Sequence, residues 1–214
     1  MTAYVIGNGE SRAGIDLAEL EGVTYGSNAL HRDFHPDNLV CCDKRMVHEA
    51  LDGEYLGPIY TRPDWVDEFS HLMNVHELPA FTWPETEKWE QHFHCGSGLH
   101  SVWLALTDGQ EHISLLGFDL FSTDGLHNNI YKDTNNYESS DYSAVDPSHW
   151  IPSCVVYFFC YPCSLLCCLP HHGAAMARKI GWKEFKPLDL DLLDQQSRSV
   201  LGLIRNDEIM IIEK

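Results

Sequence analysis

Ala3-Tyr4-Val5-Ile6-Gly7-Asn8-Gly9-Glu10-Ser11 is the stretch on which the fold turns. Four residues suited to a buried strand run directly into Gly-Asn-Gly. The two glycines let the backbone turn sharply at the strand end and leave N–H groups where a phosphate can sit. The same residues also suit an ordinary strand-to-loop turn, and the third glycine of the dinucleotide fingerprint is missing.

Outward from that point, short apolar runs alternate with amphipathic stretches. Strands are expected at 3–6, 23–27, 39–42, 57–60 and 113–116, and helices at 44–51, 63–72, 98–107 and 174–180. This alternation predicts an α/β fold, a Rossmann-like, mostly parallel sheet flanked by helices. Residues 1–152 form the expected Rossmann-like domain, and 153–214 an atypical Cys-rich segment with a C-terminal appendage. In that appendage a helix is expected at 188–196 and a hairpin from 200–204 and 208–212, turning at Asn206-Asp207.

Ligands of such sheets collect beyond the carboxyl ends of the strands. The residues expected there are small and polar: Gly7, Asn8, Gly9 and Ser11, then Gly26-Ser27-Asn28, then Asp43. Cys95-Gly96-Ser97-Gly98 opens a later helix, and Gly117-Phe118-Asp119 follows the next strand. Each suits a cap or a turn, and Ser97 suits an N-cap in particular. Together on one rim they suit a phosphate-bearing ligand.

The chain has 214 residues, enough for one domain with a real core. Its 32 acidic and 14 basic residues give a net charge of −18, which repels nucleic acid and anionic membranes. A phosphate is therefore expected to be held by backbone amides, hydroxyls and carboxamides. With no leader ahead of the first strand, a cytoplasmic site of action is expected. Oligomeric state has no signature in the sequence.

Five of the eight cysteines fall between Cys154 and Cys168. The apolar run from Cys154 to Leu169 spans 16 residues and contains Pro162, short of the roughly 20 needed to cross a membrane. A buried strand or hairpin lined with thiols is the preferred reading. A metal site using Cys160, Cys163, Cys167, Cys168, His171 and His172 matches no standard spacing. A local reading-frame or recombination scar is a third possibility.

The run from Val5 to Ser11, Asp16-Leu17 and Gly26-Ser27-Asn28-Ala29 resemble the opening of the bacterial lipooligosaccharide sialyltransferases. Gly96-Ser97-Gly98, Ala105-Leu106, Gly109, Ile113 and Leu116-Gly117-Phe118-Asp119-Leu120 are similar to that family's second nucleotide-binding segment. The pattern is shared with 6-hydroxymethylpterin diphosphokinase-like and motility-accessory-factor proteins and with small phage-borne relatives. The resemblance spans residues 4–43 and 96–150.

The resemblance implies a metal-independent, inverting glycosyltransferase with a CMP-activated, sialic-acid-type donor. Gly7, Asn8, Gly9 and Ser11 would form the first donor loop, with Asn8 and Gly9 near the phosphate and sugar. Asn28 would reach the leaving group, Ser97 and Gly98 the sugar carboxylate, and Gly117, Phe118 and Asp119 the nucleoside. Asp43 stands where the family has an amide. Residues 123–137 correspond to a lid, with Tyr131 and Tyr137 placed to hold the leaving phosphate and Lys132 beside them. His149 is the implied base and His127 the second choice. No counterpart of the family's acceptor-binding region is present. Two other functions therefore stand beside transfer: Mg2+-dependent diphosphokinase chemistry with Asp43 or Asp119 as ligands, and a silent nucleotide-binding module.

Overall fold

The computed structural model describes residues 2–80, 96–119, 122 and 124–145, and the backbone of 164–171 and 174–180. A single sheet organises them, with strand order β5-β4-β3-β2-β1-β6-β7-β8. β1 (Ala3–Ile6) lies in the middle, paired in parallel with β2 (Thr24–Ser27) on one side and β6 (His112–Leu116) on the other. β3 (Asn38–Val40), β4 (Ile59–Thr61) and β5 (Val75–Glu77) extend the β2 side, all parallel. The chain thus winds outward from β1 to β5, then returns to the far side of β1. The α/β architecture expected from the alternating pattern is the one observed.

Side chains along the strands divide between two faces with period two. Ala3, Val5, Val40, Ile113 and Leu115 pack with Val102, Leu104 and Ala105 of α3 (Ser97–Thr107). Leu39, Cys41 and Ile59 point the other way, onto Met46, Val47 and Ala50 of α1 (Lys44–Asp52). Ile6 and Leu116, register partners across β1 and β6, close a third cluster with Leu17 and Leu30. β1 is buried on both faces, which is why it reads as a continuous apolar run rather than an alternating one. α3 likewise presents buried residues nearly all round, including the polar Ser97, His100 and Ser101.

Several boundaries differ from expectation. The helix expected at 63–72 is α2 (Pro63–Val66) followed by a 3-10 turn, Asp67–Phe69. β5 escapes the pattern because it is short and only Val75 of its three residues is buried. The helix expected at 174–180 is instead β8 (Ala174–Ile180), antiparallel to β7 (Ser164–His171), with partners from Leu165↔Ile180 to His171↔Ala174. Helix propensity in Ala174-Ala175-Met176-Ala177 yields there to a long ladder of cross-strand pairs. β7 pairs in parallel with β6, so the second half of the cysteine-rich run extends the sheet as a strand. Residues 154–163, 188–196, 200–204 and 208–212 lie outside those described. No helix among the described residues is long and apolar enough to cross a membrane.

Candidate functional site

The chain leaves β1 toward one side of the sheet and β6 toward the other, so a crevice opens beyond their carboxyl ends. Its floor is a crossing of two glycine turns. The Gly7 N–H donates to Leu116 O at 2.8 Å and the Gly9 N–H to Gly117 O at 2.9 Å. Gly117 has φ +67°, and a Cβ there would stand 2.8 Å from Gly7 O. A Cβ on Gly9 would fall 2.6 Å from the Asp119 carboxylate. The glycines are thus required by backbone contact between the two loops.

That contact corrects the role expected of the first loop. Four of its amides are taken up inside the protein: besides Gly7 and Gly9, the Glu10 N–H donates to Asn128 Oδ1 at 2.9 Å and the Ser11 N–H to Asp119 Oδ2 at 2.7 Å. Arg12, buried at 5% exposure, locks the turn from beneath through Nε to Gly7 O at 2.9 Å. These bonds fix the loop's conformation internally.

Above this floor lies a cavity of about 240 Å³, at the small end of ligand pockets. Gly7, Asn8, Gly9, Ser27, Asn28, Gly96, Ser97, Gly98, Gly117, Phe118 and Asp119, eleven of the strand-end residues singled out from sequence, line it together. Ser122, His127, Asn128 and Asn129 join them, and no Lys or Arg is among the described lining residues. Three buried polar atoms there have no hydrogen-bond partner among the described residues: Asn8 Oδ1, Asp119 Oδ1 and His127 Nε2. Buried polar atoms are rarely left so without a ligand or water to meet them.

The walls are tied by small polar groups. Asn28, at φ 51°, accepts at Oδ1 from the Ser97 hydroxyl at 2.8 Å, and that hydroxyl accepts from the Cys42 N–H at 2.9 Å. Ser97 therefore fastens the start of α3 to the loops after β2 and β3. Asn8 Nδ2 donates to Ser27 O at 3.3 Å and to the Tyr137 hydroxyl at 3.0 Å. The 124–145 segment folds over this wall, its Ile130 N–H donating to Asn8 O at 2.8 Å.

The remaining expected residues are placed elsewhere. Asp43 caps α1, accepting from the Arg45 N–H at 2.9 Å and from its guanidinium at 2.6 Å, and Arg45 holds its carboxyl below the usual range. Ser11 contributes its amide to the Asp119 carboxylate but does not line the cavity. Tyr131 is a buried post at 4% exposure, donating to Asp33 Oδ2 at 2.7 Å and accepting from Arg12 at 2.8 Å. Tyr137 does not line the cavity but bonds Asn8, which does, and burial pushes its phenol up to about 12. Lys132 pairs with Glu10 at 2.5 Å. His149 lies outside the described residues.

Arg12, Asn128 and Asn129 were not singled out from sequence. The two asparagines belong to the polar run read as a lid, which was their available signal. Arg12 had none, since a cation in an exposed-looking loop gives no hint of burial. Among the described residues no three His, Cys, Asp or Glu side chains converge as a metal site.

No protein-family model matches the chain, and no curated protein does. Its fold is similar to that of solved sialyltransferases. CstII from Campylobacter jejuni with the substrate analogue CMP-3FNeuAc superposes at TM-score 0.52 and 14% identity, covering 78% of this chain and 81% of that one. CstII from the same organism with cytidine-5'-monophosphate gives TM-score 0.53 at 14% identity, over 83% and 85% of the two chains. An Asn-to-Ala variant of CST-II with CMP gives 0.56 at 14% identity, over 83% and 87%.

Proposed function

We propose that this chain binds a CMP-activated, sialic-acid-type sugar in the crevice beyond β1 and β6 and transfers the sugar with inversion, without a metal ion. The observation that carries this reading is the set of buried atoms without a partner among the described residues, Asn8 Oδ1, Asp119 Oδ1 and His127 Nε2, in a cavity whose described lining includes no Lys or Arg. Two acceptor oxygens suit donors on a ribose and a pyrimidine. The carboxamide of Asn28 supplies neutral N–H donors for the phosphate, as a strongly acidic chain requires, and the Tyr137 hydroxyl orients the Asn8 carboxamide beside it. The likeness in fold to CMP-bound sialyltransferases supports the same donor.

In the transfer, a histidine takes the acceptor hydroxyl proton as that oxygen attacks the anomeric carbon. The bond from that carbon to the phosphate oxygen breaks, and CMP leaves with the electron pair. Asn28 stabilises the charge that develops on the phosphate, with Tyr137 holding the Asn8 carboxamide in place beside it. His149 is the base by resemblance, and His127 is the imidazole that lines the cavity. The phosphoryl-transfer alternative loses its first carboxylate, because Asp43 is occupied by Arg45 and by the cap of α1.

Release of CMP from a CMP-activated sialic acid, followed by chromatography with EDTA present, tests the proposal. Turnover is expected, falling by about 100-fold or more when the base is replaced. His149→Ala and His127→Ala separate the two candidates. Binding of CMP with no turnover for any acceptor would leave a nucleotide-binding module, and failure to bind would reject the reading.

A further inference from the structure

The segment carrying Tyr137 is held from outside the cavity by side chains that the donor site does not include. Arg32 ends the 3-10 turn Asn28–Arg32 that follows β2, and Glu49 lies on α1. Arg32 Nε donates to Glu49 Oε1 at 2.6 Å, while its other nitrogens donate to Thr134 Oγ1 at 2.7 Å and to Asn135 O at 2.9 Å. Asn136 Nδ2 closes the circuit on Glu49 Oε2 at 2.7 Å. The guanidinium lies over both phenol rings, 5.4 Å from the Tyr131 centroid and 5.6 Å from that of Tyr137. Asp133 and Asn136 both take positive φ, 62° and 66°, so the segment is a built turn rather than an extended strand.

We propose that Arg32 and Glu49 form a latch that sets the Tyr137 hydroxyl against Asn8 before any donor arrives. They are positioning residues, and they act on the crevice only through Tyr137. The geometry argues for this direction of action. Every donor of the Arg32 fork that bonds the segment contacts it between Thr134 and Asn135, just before Tyr137. The Tyr137 hydroxyl then meets two groups of the donor wall, Asn8 Nδ2 at 3.0 Å and the Ala29 N–H at 3.5 Å. Both members are only partly exposed, 23% for Arg32 and 20% for Glu49, so solvent screens the pair less than a surface ion pair. His31 faces the same carboxylate, its Nε2 3.4 Å from Glu49 Oε1.

The part of the inference that concerns the latch stands apart from the nucleotide; the part that concerns donor affinity rests on the proposed function. Amide exchange on the nucleotide-free chain reads the first. Glu49→Gln is expected to speed exchange across 131–138 about tenfold, the loss of one charge-assisted bond, with β1 to β6 unchanged. Unchanged exchange there, or equal acceleration throughout the sheet, overturns the latch. Lys44→Ala, on the same helix, serves as the control and leaves 131–138 as it was. CMP titration of a double-mutant cycle reads the second. Glu49→Gln is expected to weaken CMP about tenfold in the parent and to have no effect in a Tyr137→Phe background. Equal weakening in both backgrounds contradicts action through Tyr137. If the parent chain binds no CMP, the proposed function fails, and the exchange measurement still decides the latch.

Discussion

The two walls of the crevice are held in opposite ways. On the β1 and β6 side, glycines bring backbone against backbone, and the contacts are amide to carbonyl. On the Tyr137 side the backbone is pinned by charged and amide side chains, Arg32, Glu49 and Asn136. Backbone crossings tolerate almost no substitution, because one added carbon has nowhere to go. Side-chain circuits can be loosened by degrees, with salt, with pH or with a conservative change. A rigid floor beneath an adjustable wall is an arrangement that can order a phosphate-facing group without adding positive charge to the cavity.

Breaking the floor should have the largest effect. Gly117→Ala places a Cβ 2.8 Å from Gly7 O at a φ of +67°, and a loss on the order of 3 kcal/mol is expected in urea denaturation. Arg12→Met comes next, since it strips Gly7 O and the Tyr131 hydroxyl of a buried donor. About 2 kcal/mol is expected for that change by the same measurement. If Arg12→Met costs no more than a surface substitution, the floor is not braced as described. Asn8→Ala, which touches both walls, should leave folding nearly intact and weaken CMP about tenfold by calorimetry.

The smallest effect belongs to the adjustable wall and depends on pH. Burial pushes the Glu49 carboxyl up, and its bonds from Arg32 and Asn136 outweigh this, leaving it below the ordinary range. A depressed carboxylate stabilises the fold above its unfolded value, about 4.3, and that contribution disappears as pH falls through the folded one. Thermal melts of the parent and Glu49→Gln should therefore differ most near neutrality and converge as pH falls below the ordinary carboxylate range. A gap in melting temperature that persists into acid would show that the carboxylate's charge is not what holds the segment.

Much of the fold was legible because β1, β2, β3, β6, α1 and α3 are driven by local apolar period and bounded by Gly, Asp or Pro. β5 and β8 were not, for a shared reason: their strand character comes from a neighbour's backbone. Val75-His76-Glu77 has one buried residue, and Ala174-Ala175-Met176-Ala177 has helix propensity, yet each completes a ladder. For the site, the mostly small and polar residues at strand ends marked eleven of the cavity's lining positions. The sequence did not reveal which groups of those residues would be free. Gly7, Gly9 and Ser11 suggested outward amides, whereas the crossing with Gly117 and Asp119 turns those amides inward. Tyr131 and Tyr137 looked equivalent, and only the positions of Arg12 and Asp33 make one a buried post.

Calorimetric titration of the chain with CMP, run in EDTA and again in Mg2+, tests most directly the claim that neutral side chains on a rigid floor hold a nucleotide phosphate here. Saturable binding of equal affinity in both buffers is predicted. Binding that appears only with Mg2+, or no binding in either, would contradict it.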